Sequence, residues 1–220
     1  MSSPVRLLLV DDDPLVRAGL SSMLGGTPSV RIVGEAANGR EAVEAVRDLH
    51  PDVVLMDIGM PVLDGVAATA AIRSDPAAPE VLVLTTFGSD DHLLGALRAG
   101  AAGYLLKDAA PTEILDAILK VAAGESVLSP QSTRQLMTHA ARTDADTRRT
   151  AARTALAQLT DRERDVVQAI AEGKSNAEIA DSLHLGIATI KTHLANALTK
   201  LHLTNRVQLA LLAHDADPHP

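Results

Sequence analysis

The chain of 220 residues has a net charge of −8 and contains one phenylalanine, one tyrosine, no tryptophan and no cysteine. Without cysteine, disulfide bonds, thiolate metal sites and cysteine nucleophiles are excluded. No apolar run approaches the roughly 18 residues that span a bilayer, and the amino-terminal residues lack the apolar segment of a signal peptide, so we expect a cytoplasmic protein without a membrane partner.

Acidic and basic side chains are divided unevenly along the chain. Residues 1–125 carry 18 acidic and 9 basic side chains, residues 126–155 carry 2 and 5, and residues 156–214 carry 6 of each. This asymmetry predicts two modules with different partners. We place the first module at residues 1–124, a linker at 125–155, the second module at 156–214 and a tail at 215–220.

Apolar runs alternate with helical patterns throughout the first module. The predicted strands cover residues 5–10, 30–34, 53–57, 81–85 and 103–106, and the predicted helices cover 14–24, 39–48, 64–73, 90–98 and 111–123. Five βα units of this spacing predict an α/β fold with a five-stranded, doubly wound parallel sheet and helices on both faces.

The second module shows only helical signals and is predicted to be a small all-α domain. Thr160 with Glu163, and Ser175 with Glu178, have the spacing of capping boxes that begin helices. Further helices are predicted at 176–183, 187–201 and 204–212, the last with more apolar residues than one buried stripe needs, which predicts a self-association surface. Within the linker, 130–141 is predicted to be a short helix and 142–154 to be partly helical.

Polar side chains follow four of the predicted strands. Asp11 and Asp12 follow the first strand, and Asp57, Thr85 and Lys107 end the third, fourth and fifth. Because the carboxyl ends of parallel strands share one edge of a sheet, these side chains should lie together. The chemistry of the set is coherent: two carboxylates can hold Mg²⁺, a third can attack a phosphoryl group, and the ammonium can neutralise phosphoryl oxygens. Thr85 could donate a hydrogen bond to the product.

A simpler interpretation of the acidic run is a solvated turn. Asp13 would then cap the helix that Pro14 begins, and the other two carboxylates would face water. The three later strand ends favour the phosphoryl site, while the capping role of Asp13 is compatible with both interpretations.

Residues 4–123 resemble a CheY-like receiver domain of a bacterial response regulator, which has a flavodoxin-like fold. The resemblance implies that Asp57 is the phosphoacceptor. It also implies that Asp12, Asp57 and the backbone carbonyl of Gly59 bind Mg²⁺, with Asp11 acting through water. The matching segments are LVDD at 9–12, VLMDIGMPVLDG at 54–65, LTT at 84–86 and GAAGYLLK at 100–107.

The same resemblance assigns roles to three further residues. Thr85 and Tyr104 would form the switch pair, and Lys107 would sense the phosphoryl group. The ring of Tyr104 is expected near the outer edge of the domain, from where it would turn inward when Thr85 moves toward the phosphoryl group. The alternative is that the ring is packed inside in both states.

Residues 158–213 resemble the LuxR/NarL-type DNA-binding domain, in segments LTDRERDV at 159–166, AEGKSNAEIA at 171–180, TIKTHL at 189–194 and KLHLTNRV at 200–207. Helix 176–183 would be the scaffold, and helix 187–201 would enter the major groove. An apolar stripe predicts which face of this helix is buried. The opposite face displays the candidate DNA contacts, which are Ala188, Lys191, Thr192, Ala195, Asn196 and Thr199.

Two of these residues have side chains that can read or hold DNA. Lys191 can reach guanine or phosphate, and Asn196 could pair with adenine. His193 borders the apolar stripe and is interpreted as structural. Two positions depart from the family pattern, because Gly186 replaces the usual serine helix cap and Ala195 replaces a polar or basic residue.

Together the two modules resemble a response regulator of the NarL/FixJ family. This implies phosphorylation of Asp57 by a sensor histidine kinase, homodimerisation, binding to double-stranded promoter DNA and regulation of transcription, with RNA polymerase as a further partner. The protein would not be an enzyme beyond self-phosphorylation from small phosphodonors and slow self-dephosphorylation. The alternatives are a phosphorylation-independent DNA-binding or scaffold protein and a phosphatase, although no cap domain that would enclose a substrate is evident.

Overall fold

The structure is a computed structural model that describes residues 3–75, 77–86, 90–128 and 145–216, with the backbone alone for 90, 91 and 145–148. The chain divides into two compact units, Met1–Leu136 and Met137–Pro220. The short helix predicted at 130–141 lies outside the described residues. In the parts of the chain that the structure describes, no helix has both the length and the apolar character that crossing a membrane requires.

The first unit is an α/β fold built on a parallel sheet. Its strands are β1 (Val5–Val10), β2 (Val30–Ala36), β3 (Val53–Met56), β4 (Glu80–Thr85), β5 (Gly103–Leu106) and β6 (Val127–Leu128). Its helices are α1 (Pro14–Leu24), α2 (Gly39–Leu49), α3 (Gly65–Arg73), α4 (Asp90–Arg98) and α5 (Pro111–Ala122). The strand order is β2-β1-β3-β4-β5-β6, so the direction of winding reverses between β1 and β3. Open sheets of this kind bind their ligands at the carboxyl ends of the strands beside that reversal.

The prediction of five strands was wrong by one. The sixth strand, β6, lies in the predicted linker and pairs with β5 through Gly103↔Val127 and Tyr104↔Leu128. Two residues are too few to show a strand periodicity, so the sequence pattern could not reveal it. A Cβ at Gly103 would lie 2.8 Å from the carbonyl oxygen of Val127, so this position of the pairing has no room for a side chain.

Both faces of the central strands are buried, as the unbroken apolar runs predicted. All four residues of β3 are buried, and helix α5 packs Ile114, Ile118 and Val121 against the sheet. The core therefore fixes the strand positions, and the polar residues that follow β1, β3 and β5 are brought to one edge.

The second unit is helical. Its helices are α6 (Ala145–Leu156), α7 (Asp161–Ala171), α8 (Asn176–Leu183), α9 (Ile187–Leu201) and α10 (Arg206–Ala216). Both predicted capping boxes are confirmed, at Thr160 with Glu163 and at Ser175 with Glu178. The apolar faces of α7 to α10 form one core.

The apolar surplus of the last helix is not free in this structure. Helix α6 packs along α10, and Arg153 Nε donates a hydrogen bond to the carbonyl oxygen of Ala216 at 2.9 Å. As a result, His214 is the one exposed residue of α10. The sequence predicted a free surface because the pattern of α10 alone does not show that a polar, arginine-rich helix would cover it.

Candidate functional site

The first candidate site lies at the carboxyl edge of the sheet, where β1, β3 and β5 end. The Nζ atom of Lys107 is 2.5 Å from Oδ2 of Asp11 and 3.0 Å from Oδ2 of Asp57. Asp11 is 2% exposed and Asp57 is 6% exposed, so both carboxylates are largely withdrawn from water. Lys107 therefore contacts both carboxylates, as the sequence predicted for side chains at one edge of the sheet.

Burial and ion pairing act in opposite directions on these groups. Burial raises the pKa of Asp11, and the hydrogen bond from Lys107 offsets only part of that rise. Burial alone would lower the pKa of Lys107, but its hydrogen bonds to Asp11 and Asp57 outweigh burial, so its pKa is raised. Lys107 is thus held as an ammonium ion at the centre of the site.

The acidic residues at this edge form a group that is suited to a divalent cation. One carboxylate oxygen from each of Asp11, Asp12 and Asp57 lies within 4.8 Å of the others. Such closely spaced carboxylates repel one another unless cations neutralise them, and Lys107 supplies one positive charge for three negative ones. The ligand set consists of oxygen atoms, which magnesium and calcium prefer. Asp12 and Gly59 are exposed, so this side of the site is open to solvent.

Thr85 is the last residue of β4, and Tyr104 lies on the neighbouring strand β5. The backbone N–H of Lys107 donates to the carbonyl oxygen of Thr85 at 2.8 Å, which ties the ends of these strands together. The expected outer position of Tyr104 is not what the structure shows, because the ring is fully buried. The sequence pattern predicts that β5 is apolar but not what packs against each of its side chains.

The second candidate site is the exposed face of α9. All six residues that the sequence predicted to face DNA are exposed, whereas Ile190 and Leu194 are buried and His193 is half-buried beside them. The hydroxyls of Thr192 and Thr199 donate to carbonyl oxygens one turn earlier, at 3.0 and 2.9 Å. Gly186 caps the helix without a side-chain hydrogen bond, as its residue type requires.

Both modules match known families. Residues 7–119 match the response regulator receiver domain, and residues 157–213 match the bacterial regulatory proteins of the luxR family. The transcriptional regulatory protein LiaR of Bacillus subtilis is 39% identical over 96% of this chain and 97% of its own length. The response regulator protein VraR of Staphylococcus aureus is 39% identical over 95% of this chain and 96% of its own length.

The chain belongs to the NarL/FixJ family of response regulators. It is a two-component response regulator that has a receiver and a LuxR-type DNA-binding domain, and it is a regulator of transcription. Among solved structures, the response regulator ChrA of a heme-sensing two-component system is similar at a TM-score of 0.54 and 34% identity, over 97% of this chain and 98% of that one. A structure of RcsB dimers bound to DNA shares the fold at a TM-score of 0.56 and 24% identity, over 98% of this chain and 100% of the RcsB chain.

In this response regulator Arg17 also supports the acidic group, which the sequence did not predict. Its Nη1 donates to the carbonyl oxygen of Asp11 at 2.6 Å, and its Nε pairs with Oε2 of Glu35 at 3.3 Å. Asp13 caps α1 as predicted, since its Oδ1 accepts the N–H of Leu15 at 2.8 Å. The signal that could have suggested Arg17 is a basic residue one turn into the helix that follows the acidic run.

Gly65 is a second residue whose role was missed. A Cβ at this position would lie 1.9 Å from the carbonyl oxygen of Asp57 and 2.9 Å from Cα of Ile58. The N–H of Gly65 donates to the carbonyl oxygen of Ile58 at 3.0 Å, and the N–H of Ile58 donates to Oδ1 of Asp57 at 2.8 Å. The loop after β3 therefore closes tightly against the residue that carries the candidate nucleophile.

The buried tyrosine of the receiver allows a direct titration. Burial, with a smaller contribution from the negative charge of Asp57, raises the pKa of Tyr104 from 10.0 to about 12. We expect the phenolate absorbance of the folded protein to rise with a midpoint near pH 12 and that of the urea-unfolded protein near pH 10. Because the pKa of Tyr104 is higher in the folded protein, its titration leaves the free energy of unfolding unchanged below about pH 10. That free energy then falls as the pH rises from about 10 to about 12.

Tyr104→Phe is the control for this titration, because Tyr104 is the only tyrosine and the variant should show no phenolate signal. Circular dichroism at each pH verifies that the protein is folded. A folded protein that titrates near pH 10 would contradict the buried position of the ring.

Proposed function

We propose that Asp57 accepts a phosphoryl group from a sensor histidine kinase and that the phosphorylated protein forms a homodimer on promoter DNA. The observation that carries the proposal is the contact of Lys107 with Asp57 and Asp11 at the end of a buried sheet. A carboxylate that follows a buried strand and faces both an ammonium and an acidic pair has the surroundings that an acyl phosphate requires.

The transfer moves a phosphoryl group from a histidine of the kinase to Asp57. A carboxylate oxygen of Asp57 attacks the phosphorus atom of a phosphohistidine, and the phosphorus–nitrogen bond breaks. The imidazole nitrogen keeps the electron pair and takes up a proton. Lys107 would hold a phosphoryl oxygen in exchange for its contact with Asp57, and Thr85 would donate a hydrogen bond to the product.

The acidic residues form a site that suits Mg²⁺. Asp11, Asp12, Asp57 and the carbonyl of Gly59 would hold it, because Mg²⁺ takes oxygen ligands and keeps several waters on the open side. When bound, Mg²⁺ supplies positive charge to the oxygens of the transferring phosphoryl group. The same site supports self-phosphorylation from small phosphodonors such as acetyl phosphate, and slow hydrolysis of the acyl phosphate.

The output step uses the exposed face of α9. Two recognition helices related by a two-fold axis would bind half-sites about one helical turn apart, or a multiple of that distance. Since α6 covers α10 in this structure, self-association through α10 requires that α6 move. Promoter DNA as the target implies a cytoplasmic location, with RNA polymerase as the partner that reads the result.

DNA selection with the full-length protein tests the proposal. With a phosphodonor and Mg²⁺, selected sequences should contain paired, inverted half-sites, and without them enrichment should be weaker. If both conditions give identical sequences and equal enrichment, the protein is the phosphorylation-independent DNA-binding protein that we consider as the alternative. The intact set of Asp11, Asp12, Asp57, Thr85 and Lys107 argues against that alternative.

Lys191→Ala should weaken binding to the selected operator. If Lys191 contacts a phosphate, each contact that is lost makes the plot of log affinity against log salt shallower by about 0.9. If it contacts guanine, the variant should lose affinity only for operators that keep the guanine, by roughly 5- to 150-fold. Binding isotherms at several salt concentrations distinguish the two cases. Lys120→Ala removes one positive charge from the receiver and serves as the control. If Lys191→Ala bound the operator as tightly as wild type, Lys191 would not contact DNA.

A further inference from the structure

Glu163 is a buried carboxylate in the DNA-binding domain, on a helix outside the helix-turn-helix. It lies in the first turn of α7 and is 3% exposed. Its Oε2 accepts a hydrogen bond from the N–H of Thr160 at 2.8 Å and lies 2.7 Å from Nζ of Lys200. Lys200 belongs to the last turn of the recognition helix, α9. A single oxygen atom thus completes the capping box of α7 and also joins α7 to α9.

Glu163 stays ionised over the whole physiological range. The hydrogen bond from Lys200, and then that from Thr160, lower the pKa of Glu163 from 4.5 to about 2. Glu163 is buried, whereas the side chain of Lys200 is 40% exposed. Loss of Lys200 would therefore leave a buried carboxylate without its partner, which is costly. The contact between α7 and α9 is therefore fixed at its Glu163 end, which is buried and hydrogen-bonded to the backbone of Thr160.

The rest of α9 is held mainly by apolar contacts. Ile190, Leu194 and Ala197 form its buried stripe, and Gly186 offers no side-chain cap at the other end. Apolar contacts are not directional, so a stripe by itself allows small rotations of a helix about its axis. A hydrogen-bonded ion pair has a fixed length and direction, and this one acts at the carboxyl end of α9, where the stripe is only partly buried.

We infer that Glu163 is a positioning residue for DNA recognition, which acts through Lys200 to fix the rotation of α9 and thereby aims Lys191 and Asn196 at the base edges. The inference rests on the proposed function of α9 as the recognition helix. It also implies that the ammonium of Lys200 pairs with Glu163 and does not contact a DNA phosphate.

The test uses the full-length protein, treated with a phosphodonor, at a temperature where circular dichroism shows every variant folded. The quantity measured is the ratio of affinities for the selected operator and for a scrambled duplex, at several salt concentrations. Glu163→Gln keeps a side chain that can complete a capping box but removes the charge. Asp165→Asn is the matched control, because Asp165 is an exposed carboxylate on the same helix, paired with Arg162 at 3.4 Å.

We expect Glu163→Gln and Lys200→Met each to lower the specificity ratio about tenfold, the scale of one lost base contact. Asp165→Asn should leave the specificity ratio unchanged, and Lys200→Arg, which keeps the positive charge, should retain most of the wild-type ratio. The double variant of Glu163→Gln and Lys200→Met should lose no more specificity than either single variant, because both changes remove the same interaction. The salt dependence of Lys200→Met should equal that of wild type.

Two results would overturn the inference. One is a folded Glu163→Gln variant that has the wild-type specificity ratio. The other is a Lys200→Met variant whose log–log salt slope becomes shallower by about 0.9 for each subunit, which would make Lys200 a phosphate contact. If Glu163→Gln does not fold, the double variant of Glu163→Gln and Lys200→Met decides, because it removes both charges of the pair. A wild-type protein without operator preference would instead contradict the proposed function itself.

Discussion

Asp57→Asn should abolish labelling of the protein by acetyl phosphate or by a partner kinase in the presence of Mg²⁺. The amide cannot form an acyl phosphate, and Lys107 keeps its contact with Asp11, so the fold of the receiver should persist. The measurement is acid-labile phosphate on the intact protein, with circular dichroism to confirm folding. The expected result is complete loss of label, because Asp57 is the one carboxylate that both follows β3 and contacts Lys107.

The chain offers a matched control for this variant. Asp64 is an exposed carboxylate in the same loop, and its Oδ1 caps α3 by accepting the N–H of Ala67 at 2.8 Å. Asparagine caps helices about as well as aspartate, so Asp64→Asn should fold and label like wild type. Undiminished label on Asp57→Asn would show that another side chain is the phosphoacceptor.

Gly65→Ala should destabilise the receiver strongly and slow phosphorylation. The added Cβ would meet the backbone of Asp57 and Ile58, and neither neighbour is the flexible end of a side chain that could move away. We expect a loss of roughly 3 kcal/mol or more in the free energy of unfolding, which is characteristic of severe overpacking. Urea unfolding followed by the emission of Tyr104 reports on the receiver, because this ring is the only tyrosine of the chain.

Gly19→Ala is the matched control for Gly65→Ala. Gly19 lies in the middle of α1, and a Cβ there would meet no atom within 4 Å. Alanine should therefore stabilise the receiver by up to about 1 kcal/mol through its better helix propensity. If Gly65→Ala were as stable as Gly19→Ala, the close approach of the β3–α3 loop to Asp57 would be refuted.

The sequence by itself determined the features that depend on neighbouring residues. The apolar runs gave the five main strands within one or two residues at their ends, for example 5–10 for Val5–Val10. The capping boxes at Thr160 and Ser175 and the cap at Asp13 were predicted because donor and acceptor lie within three residues of each other. The carboxylates were expected to meet because parallel strands share one carboxyl edge.

Only the tertiary structure decided the contacts between residues far apart in the chain. The pairing of β6 with β5, the cover of α10 by α6 and the ion pair between Glu163 and Lys200 each join segments that no local period connects. The inward ring of Tyr104 depends in the same way on what packs across from it. Hydrophobic periodicity specifies which face of an element is buried, whereas the partner of that face and the rotamers of its side chains are set by the packing of the whole domain.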